Sequence, residues 1–185
     1  MNKNLQKHLK KLHEISSRED KTKGYGGDPQ KFFDPFLPWF KAITYRKGPY
    51  VVVDRYSGEE LNMGQAITFY RERPIYGVNY YGILVGYGRT LGSKVVFDFL
   101  KKALRAGAGK TTHRGLDGFR ENKFLYKNSF TEKRCFLEGE EKIFYGNKLV
   151  YIQVYHGGII EDTRNYKAWS KKLLPATELK KKLKL

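Results

Sequence analysis

Residues 67–82, ITFYRERPIYGVNYYG, return loosely rewritten as KIFYGNKLVYIQVYHG at residues 142–157, a constant offset of 75 positions. Gly64, Phe69, Tyr70, Tyr76, Tyr80 and Gly82 fall on Gly139, Phe144, Tyr145, Tyr151, Tyr155 and Gly157. At an offset of 74, Tyr50, Asp54 and Tyr56 fall on Phe124, Asn128 and Phe130. The period-two alternation around Tyr50, Val52, Asp54 and Tyr56 marks a strand. Each copy therefore reads as a three-stranded antiparallel meander, over 50–56, 64–71 and 74–82 and again over 124–130, 139–145 and 148–156. Pro74 stands at the first residue of a strand, where a missing N–H is tolerated, and Gly146-Asn147 supplies turn residues.

Between the copies lies GSKVVFDFLKKALRAGAG, residues 92–109. Val96, Phe97, Leu100, Ala103 and Leu104 share one helical face, Ser93 is the candidate N-cap, and Gly107 is the expected end. Such a face needs a sheet to cover. The expected fold is α+β: an antiparallel sheet of two pseudo-repeated meanders, one packed central helix, and helical extensions at both ends. The expected divisions are 1–23, a basic amphipathic helix and linker; 24–162, one domain; and 163–185, a basic tail. In the first, Leu5, Leu9, Leu12 and Ile15 recur at helical intervals. The proline-broken segment 29–38 and its neighbours carry Phe32, Phe33, Phe36, Trp39 and Phe40, which are expected to be buried because aromatic side chains supply large apolar area.

The net charge of +17 is concentrated at the ends. Residues 1–23 hold seven Lys or Arg against three acids, and residues 163–185 hold eight against one. Basic ends attract polyanions by counterion release, so Lys171, Lys172, Lys180, Lys181, Lys182 and Lys184 are the nucleic-acid candidates. A plain solubilising role explains them equally. No apolar run reaches membrane-spanning length and the N-terminus lacks a signal-type apolar core, so a cytoplasmic protein without a membrane partner is expected. The single cysteine, Cys135, is expected to be a reduced thiol. Oligomeric state is not legible.

Several motifs bear on chemistry. GAGKTT at 107–112 resembles the end of a phosphate loop, but Leu104 stands where the pattern needs glycine, and a helix precedes it instead of a strand. The strand ends NYYG (79–82) and VYHGG (154–158) place aromatics beside glycines, making Tyr80, Tyr81, Tyr155 and His156 candidates for a shared groove. Asp54, with Arg55 or Arg114 as partner, is the acid that stands out. His8, His13 and His113 are scattered and form no zinc spacing, so neither a metal nor a cofactor is expected. No nucleophile stands at a defined spacing from His156, and catalytic residues stay unassigned.

The motifs YSGEELNMGQAITFYRERPIYG, GVNYYG and FLEGEEKIFYGNKLVYIQVYHGG resemble an uncharacterised bacterial and archaeal domain family, some of whose members carry the domain behind a helix-turn-helix of the xenobiotic-response-element type. The likeness spans about Gly24 to Ile160, including GYGG and the HRGLDGF loop. Its matching positions are Asp54, Gly64, Tyr80, Tyr81, Gly82, Arg114, Tyr155, His156, Gly157 and Gly158. The resemblance implies a fold and a regulatory setting and establishes no activity. Two departures from that family are expected: too little sequence before Gly24 for a full helix-turn-helix, and an added lysine-rich tail. The leading reading is a non-enzymatic α+β module binding a small ligand through Asp54, Tyr80, Tyr81, Arg114, Tyr155 and His156, with basic ends for polyanions. The alternatives are a small hydrolase or transferase using His156 with Asp54 or Glu60, and an RNA- or DNA-binding protein.

Overall fold

Inward-facing Tyr50, Val52 and Asp54 alternate with partly exposed Val51, Val53 and Arg55, the signature of a strand with one covered face. In this computed structural model, which describes residues 11–27, 29–34, 37–133 and 136–160, nine such strands join in one antiparallel sheet. They are β1 (Phe32–Phe33), β2 (Lys41–Lys47), β3 (Tyr50–Gly58), β4 (Leu61–Tyr70), β5 (Arg73–Leu84), β6 (Arg120–Glu121), β7 (Phe124–Lys133), β8 (Phe136–Tyr145) and β9 (Lys148–Ile159). Their order is β1-β2-β3-β4-β5-β9-β8-β7-β6, so β5 and β9 meet in the middle. The chain is α+β: among the described residues, three longer helical segments and a 3-10 turn at Tyr25–Gly27 supplement the sheet. The longer segments are α1 (helical residues 11–23, with a π-helical stretch at Ile15–Glu19), α2 (Tyr87–Leu91) and α3 (Ser93–Ala106).

The register explains the glycines. One row across the sheet reads Tyr56, Gly64, Tyr80, Tyr155, Gly139, Phe130. Tyr80 and Tyr155 are direct partners at the centre, each beside a glycine on the next strand. A Cβ at Gly64 would collide with the Tyr80 phenol, and one at Gly139 with that of Tyr155. Each tyrosine ring thus lies across a bare stretch of backbone and reaches the strand beyond. Register also shifts between Thr68 and Phe69 in β4 and between Ile143 and Phe144 in β8. Such bulges increase local twist and bend a sheet toward what it covers.

Two helices cover the inner face. Val96, Phe99, Leu100, Ala103 and Leu104 of α3 pack on Leu84, Tyr126, Ile143, Val150 and Tyr151. From α1, Ile15 packs with Ile43, Tyr45, Tyr50 and Val52, and Leu12 with Tyr76, Leu137 and Tyr155. Among the described residues, no helix is long and apolar enough to cross a membrane.

Three local expectations are corrected, and one strand is added. Phe99, not Phe97, is the buried phenylalanine of α3; Phe97 is half-buried and sets its ring edge-on to Tyr151 at 5.4 Å. Ser93 is the first helical residue rather than its cap, because Gly92, between α2 and α3, takes the cap position and its φ of 85° turns the chain. The strand β2, whose Ala42, Ile43 and Tyr45 are buried, was hidden by the aromatic and proline-rich segment before it. That segment's aromatics are also exposed where burial is expected: Phe32, Phe33 and Trp39 are 48%, 76% and 86% exposed. The inner face is already filled by α1 and α3, and a two-residue edge strand has no second layer to bury against. Phe36 lies outside the described residues, as do Leu5, Leu9, Cys135 and everything from 161 onward.

Replacing Gly64 or Gly139 with alanine is expected to destabilise the protein by about 1–3 kcal/mol each, the usual cost of forcing a methyl into a packed site. Urea unfolding midpoints measure it; an unchanged midpoint for both would mean the tyrosine rings move aside freely.

Candidate functional site

Polar side chains project inward at the heart of the sheet, where β-alternation would ordinarily place apolar ones. The row next to the tyrosines reads Asn62, Gly82, Gln153, Glu141, Asn128 across β4, β5, β9, β8 and β7. Tyr80 donates its hydroxyl hydrogen to Asp54 Oδ1 at 2.8 Å, and Tyr155 donates to Asn128 Oδ1 at 2.8 Å. Tyr151 donates to Gln153 Oε1 at 2.7 Å. Glu141, fully buried, accepts Arg114 Nε at 3.0 Å and Nη2 at 2.5 Å, and also the Tyr126 hydroxyl at 2.5 Å. Bidentate arginine–carboxylate pairing is among the strongest polar contacts available to a buried acid.

Arg114 reaches this position because its backbone departs from the usual. Its φ is 57°, a left-handed conformation that is uncommon outside glycine and costs free energy wherever it persists. The surrounding loop is held on both sides: Leu116 N donates to Ala103 O at the end of α3, Asn128 N to Asp117 Oδ1, and Gly115 N to the Tyr126 hydroxyl. The Arg114 guanidinium then lies 5.9 Å from the centre of the Tyr80 ring, so Tyr80 and Asp54 meet the Glu141 group through it. Burial lowers the Arg114 pKa, but the Glu141 carboxylate outweighs burial and holds it well above its ordinary value. Burial and then the Asp54 carboxylate push Tyr80 well up; burial and then Glu141 do the same for Tyr126, Tyr151 and Tyr155. These four phenols therefore act as hydrogen-bond donors throughout the physiological range.

The polar row borders open space. Two cavities, of about 70 and about 250 Å³, share Tyr25, Asp54, Tyr80, Arg114 and Gln153 in their walls. The smaller reaches toward Ile15 and His113; the larger opens between α3 at Phe97 and the β3–β4 end at Tyr56 and Asn62. Lys31, Lys41, Lys94 and Lys101 line the larger one, with Glu59 and Asp98. Gln153 is 2% exposed, and its Nε2 makes no hydrogen bond among the described residues. A buried donor left unpaired costs about 1–3 kcal/mol, so this amide is notable in the wall of a cavity.

Of the candidates read from sequence, Asp54, Tyr80, Arg114 and Tyr155 gather on the inner face. Tyr81 and His156 do not join them. Each follows an inward residue on its strand and so faces outward; both are exposed and line a separate outer depression with Met63 and Val154. Arg55 pairs with Asp34 at 2.7 Å, and Arg114 with Glu141, so the partner expected for Asp54 is instead Tyr80. Glu60 is at the surface, 3.8 Å from Arg89. The amides of Gly109 and Thr111 in GAGKTT bond to Ser17 and Gly107 carbonyls, and Lys21 Nζ donates to the Gly107 and Thr111 carbonyls. That loop ties α3 to α1. The six tail lysines lie outside the described residues.

Glu141, Gln153, Tyr126 and Tyr151 were missed. Glu141 stands in the run EGEEK and looks like one more solvated acid. The usable signal was Tyr151-x-Gln153-x-Tyr155, a polar residue in phase with two tyrosines. The histidine pattern also changes in three dimensions: His13 and His113 converge on Glu132, the group among the described residues able to ligate a metal ion.

A model of the family described as Domain of unknown function (DUF5680) matches residues 54–160 of this chain. Neither a curated protein nor a solved structure matches it.

Replacing Glu141 by leucine strands the Arg114 charge and is expected to cost about 3–5 kcal/mol, whereas the double replacement of Glu141 by leucine and Arg114 by methionine recovers most of it. Denaturant melts of the single and the double variant against the parent protein read the coupling; equal losses in the two would deny it. The buried phenols set the alkaline limit. Their folded pKa values exceed the unfolded value near 10, so below that value their contribution to stability is intact and above it stability falls as pH rises. Tyrosinate absorbance from these four should appear only together with loss of circular dichroism.

Proposed function

This chain belongs to the DUF5680 family of domains of unknown function, and we propose that it is a binding module that holds a small polar ligand in the paired inner cavities. The observation that carries this reading is the buried Gln153 Nε2, a donor without a partner among the described residues, in a wall common to both cavities. A ligand oxygen accepting from that amide removes the penalty of leaving it unpaired. Tyr25 and Phe97 offer apolar surface for the body of such a molecule, and the lysines of the larger cavity favour a ligand with negative charge at its outer end. Catalysis by His156 with Asp54 finds no support in this arrangement, since the two face opposite sides of the sheet.

The two halves of the sheet are, in this reading, copies of one meander unit that diverged. The equal 75-residue spacing of the bulges, the glycine–tyrosine pairs and the central partners Tyr80 and Tyr155 supports it. Divergence then created the site. Positions occupied by Ala66 and Val78 in the first half correspond to Glu141 and Gln153 in the second, while Asp54 corresponds to Asn128. One half contributes a carboxylate and the other a clamped arginine and a spare amide, so a ligand between them meets two different surfaces.

A thermal-shift screen of short carboxylates, nucleobases and nucleotides should find compounds that raise the melting temperature; at a hundred times the dissociation constant the gain is about 2.7 kcal/mol. In the variant Gln153→Leu, calorimetry should then show affinity reduced about tenfold or more, the weight of one unpaired buried group. A screen without a stabilising compound, or binders indifferent to Gln153→Leu, rejects the reading.

A further inference from the structure

Three side chains from distant parts of the chain bring their donor atoms together beside the smaller cavity. His13 stands on α1, His113 begins the loop that carries Arg114, and Glu132 lies near the end of β7. His13 Nε2 is 3.1 Å from the Glu132 carboxylate, and His113 Nε2 is 3.3 Å from its Oε2. One ligating atom from each falls within 4.8 Å of the other two. The rings stand at 90° with centroids 6.2 Å apart, so they do not stack. Phe130 meets the His113 ring edge-on at 5.2 Å, a packing contact that restrains its orientation.

We propose that these residues bind one divalent transition-metal ion of the zinc type. Metal–ligand bonds of 2.0–2.2 Å in a tetrahedron put neighbouring donors about 3.3 Å apart, the spacing already present between each imidazole and the carboxylate. Two imidazole nitrogens with one carboxylate oxygen suit zinc, cobalt or iron(II), whereas magnesium and calcium demand oxygen-rich shells. Three protein donors leave a position for water. His113 is buried and Glu132 largely so, while His13 is half-exposed, so the ion reaches the site from the α1 side. Its structural consequence is a clamp. Leu12 and Ile15 already seat α1 against the sheet, and the ion ties the same helix to β7 across a sequence separation of 119 residues. Because His113 also lines the smaller cavity, the clamp holds one wall of that space.

The test uses the full chain, stripped with chelator and dialysed. Titration with zinc followed by calorimetry, and with cobalt followed by visible absorption, should each give one ion per chain, with a raised melting temperature. His13→Ala, at a half-exposed position where folding survives, and Glu132→Gln should each weaken zinc at least about tenfold, since even outer-shell losses reach that size. Circular dichroism verifies that both variants are folded, and magnesium and calcium should have no effect. Absence of stoichiometric zinc or cobalt binding overturns the proposal and leaves two imidazoles hydrogen-bonded to one carboxylate. Binding of equal strength in the His13→Ala/Glu132→Gln double variant overturns it too, by placing the ion elsewhere.

Discussion

The antiparallel seam between β5 and β9 is what the rest of the molecule hangs on. It joins two outer groups of strands that have no other direct pairing, and it places Tyr80 and Tyr155 as partners at its centre. A register slip of one residue there would turn every inward side chain outward. Gly64 and Gly139 guard against it on either side, since only a bare Cα accepts a tyrosine ring across the strand. The hydroxyls then anchor on Asp54 and Asn128, one strand further out. Each tyrosine thus ties three strands, and the seam's register is written into side chains as well as ladder hydrogen bonds.

With the register set, the interior carries more polarity than a sheet of this size needs for stability. Glu141 is fully buried, and its carboxylate accepts a fork from Arg114 and a phenol from Tyr126. Buried pairs of this kind contribute little net stability against an apolar replacement, because desolvation of both charges offsets their attraction. Arg114 adds the cost of a left-handed backbone. In the proposed reading, the local costs gathered around the cavity serve binding rather than folding. The apolar clusters on α1 and α3 supply the stabilisation that lets this arrangement persist.

Both faces of the sheet matter, in different ways. Strand alternation sends Tyr80 and Tyr155 into the interior and their neighbours Tyr81 and His156 to the outside, so a motif that is continuous in sequence is split by the pleat. NYYG and VYHGG therefore read as one constellation in the chain and as two surfaces in the fold. The outer one is joined by exposed Met63 and Val154; exposed Phe33 lies on the edge strand β1 and exposed Trp39 in the turn between β1 and β2.

Much of the architecture was legible from the amino-acid order. Period-two alternation, the glycine and proline turns, and one amphipathic helix specify strands and helix through local sterics and the burial of one face. Asp54, Tyr80, Arg114 and Tyr155 could be singled out as unusual for their positions. What the chain order could not reveal is which of them meet: Glu141 looks like a solvated acid until β8 pairs with β9, and Gln153 like a tolerated strand residue until a cavity opens beside it. His13, His113 and Glu132 share no spacing at all. Secondary structure follows from neighbours a few residues apart, but a site is made by side chains brought together from remote segments, and only the tertiary pairing of strands and the docking of α1 decide those distances.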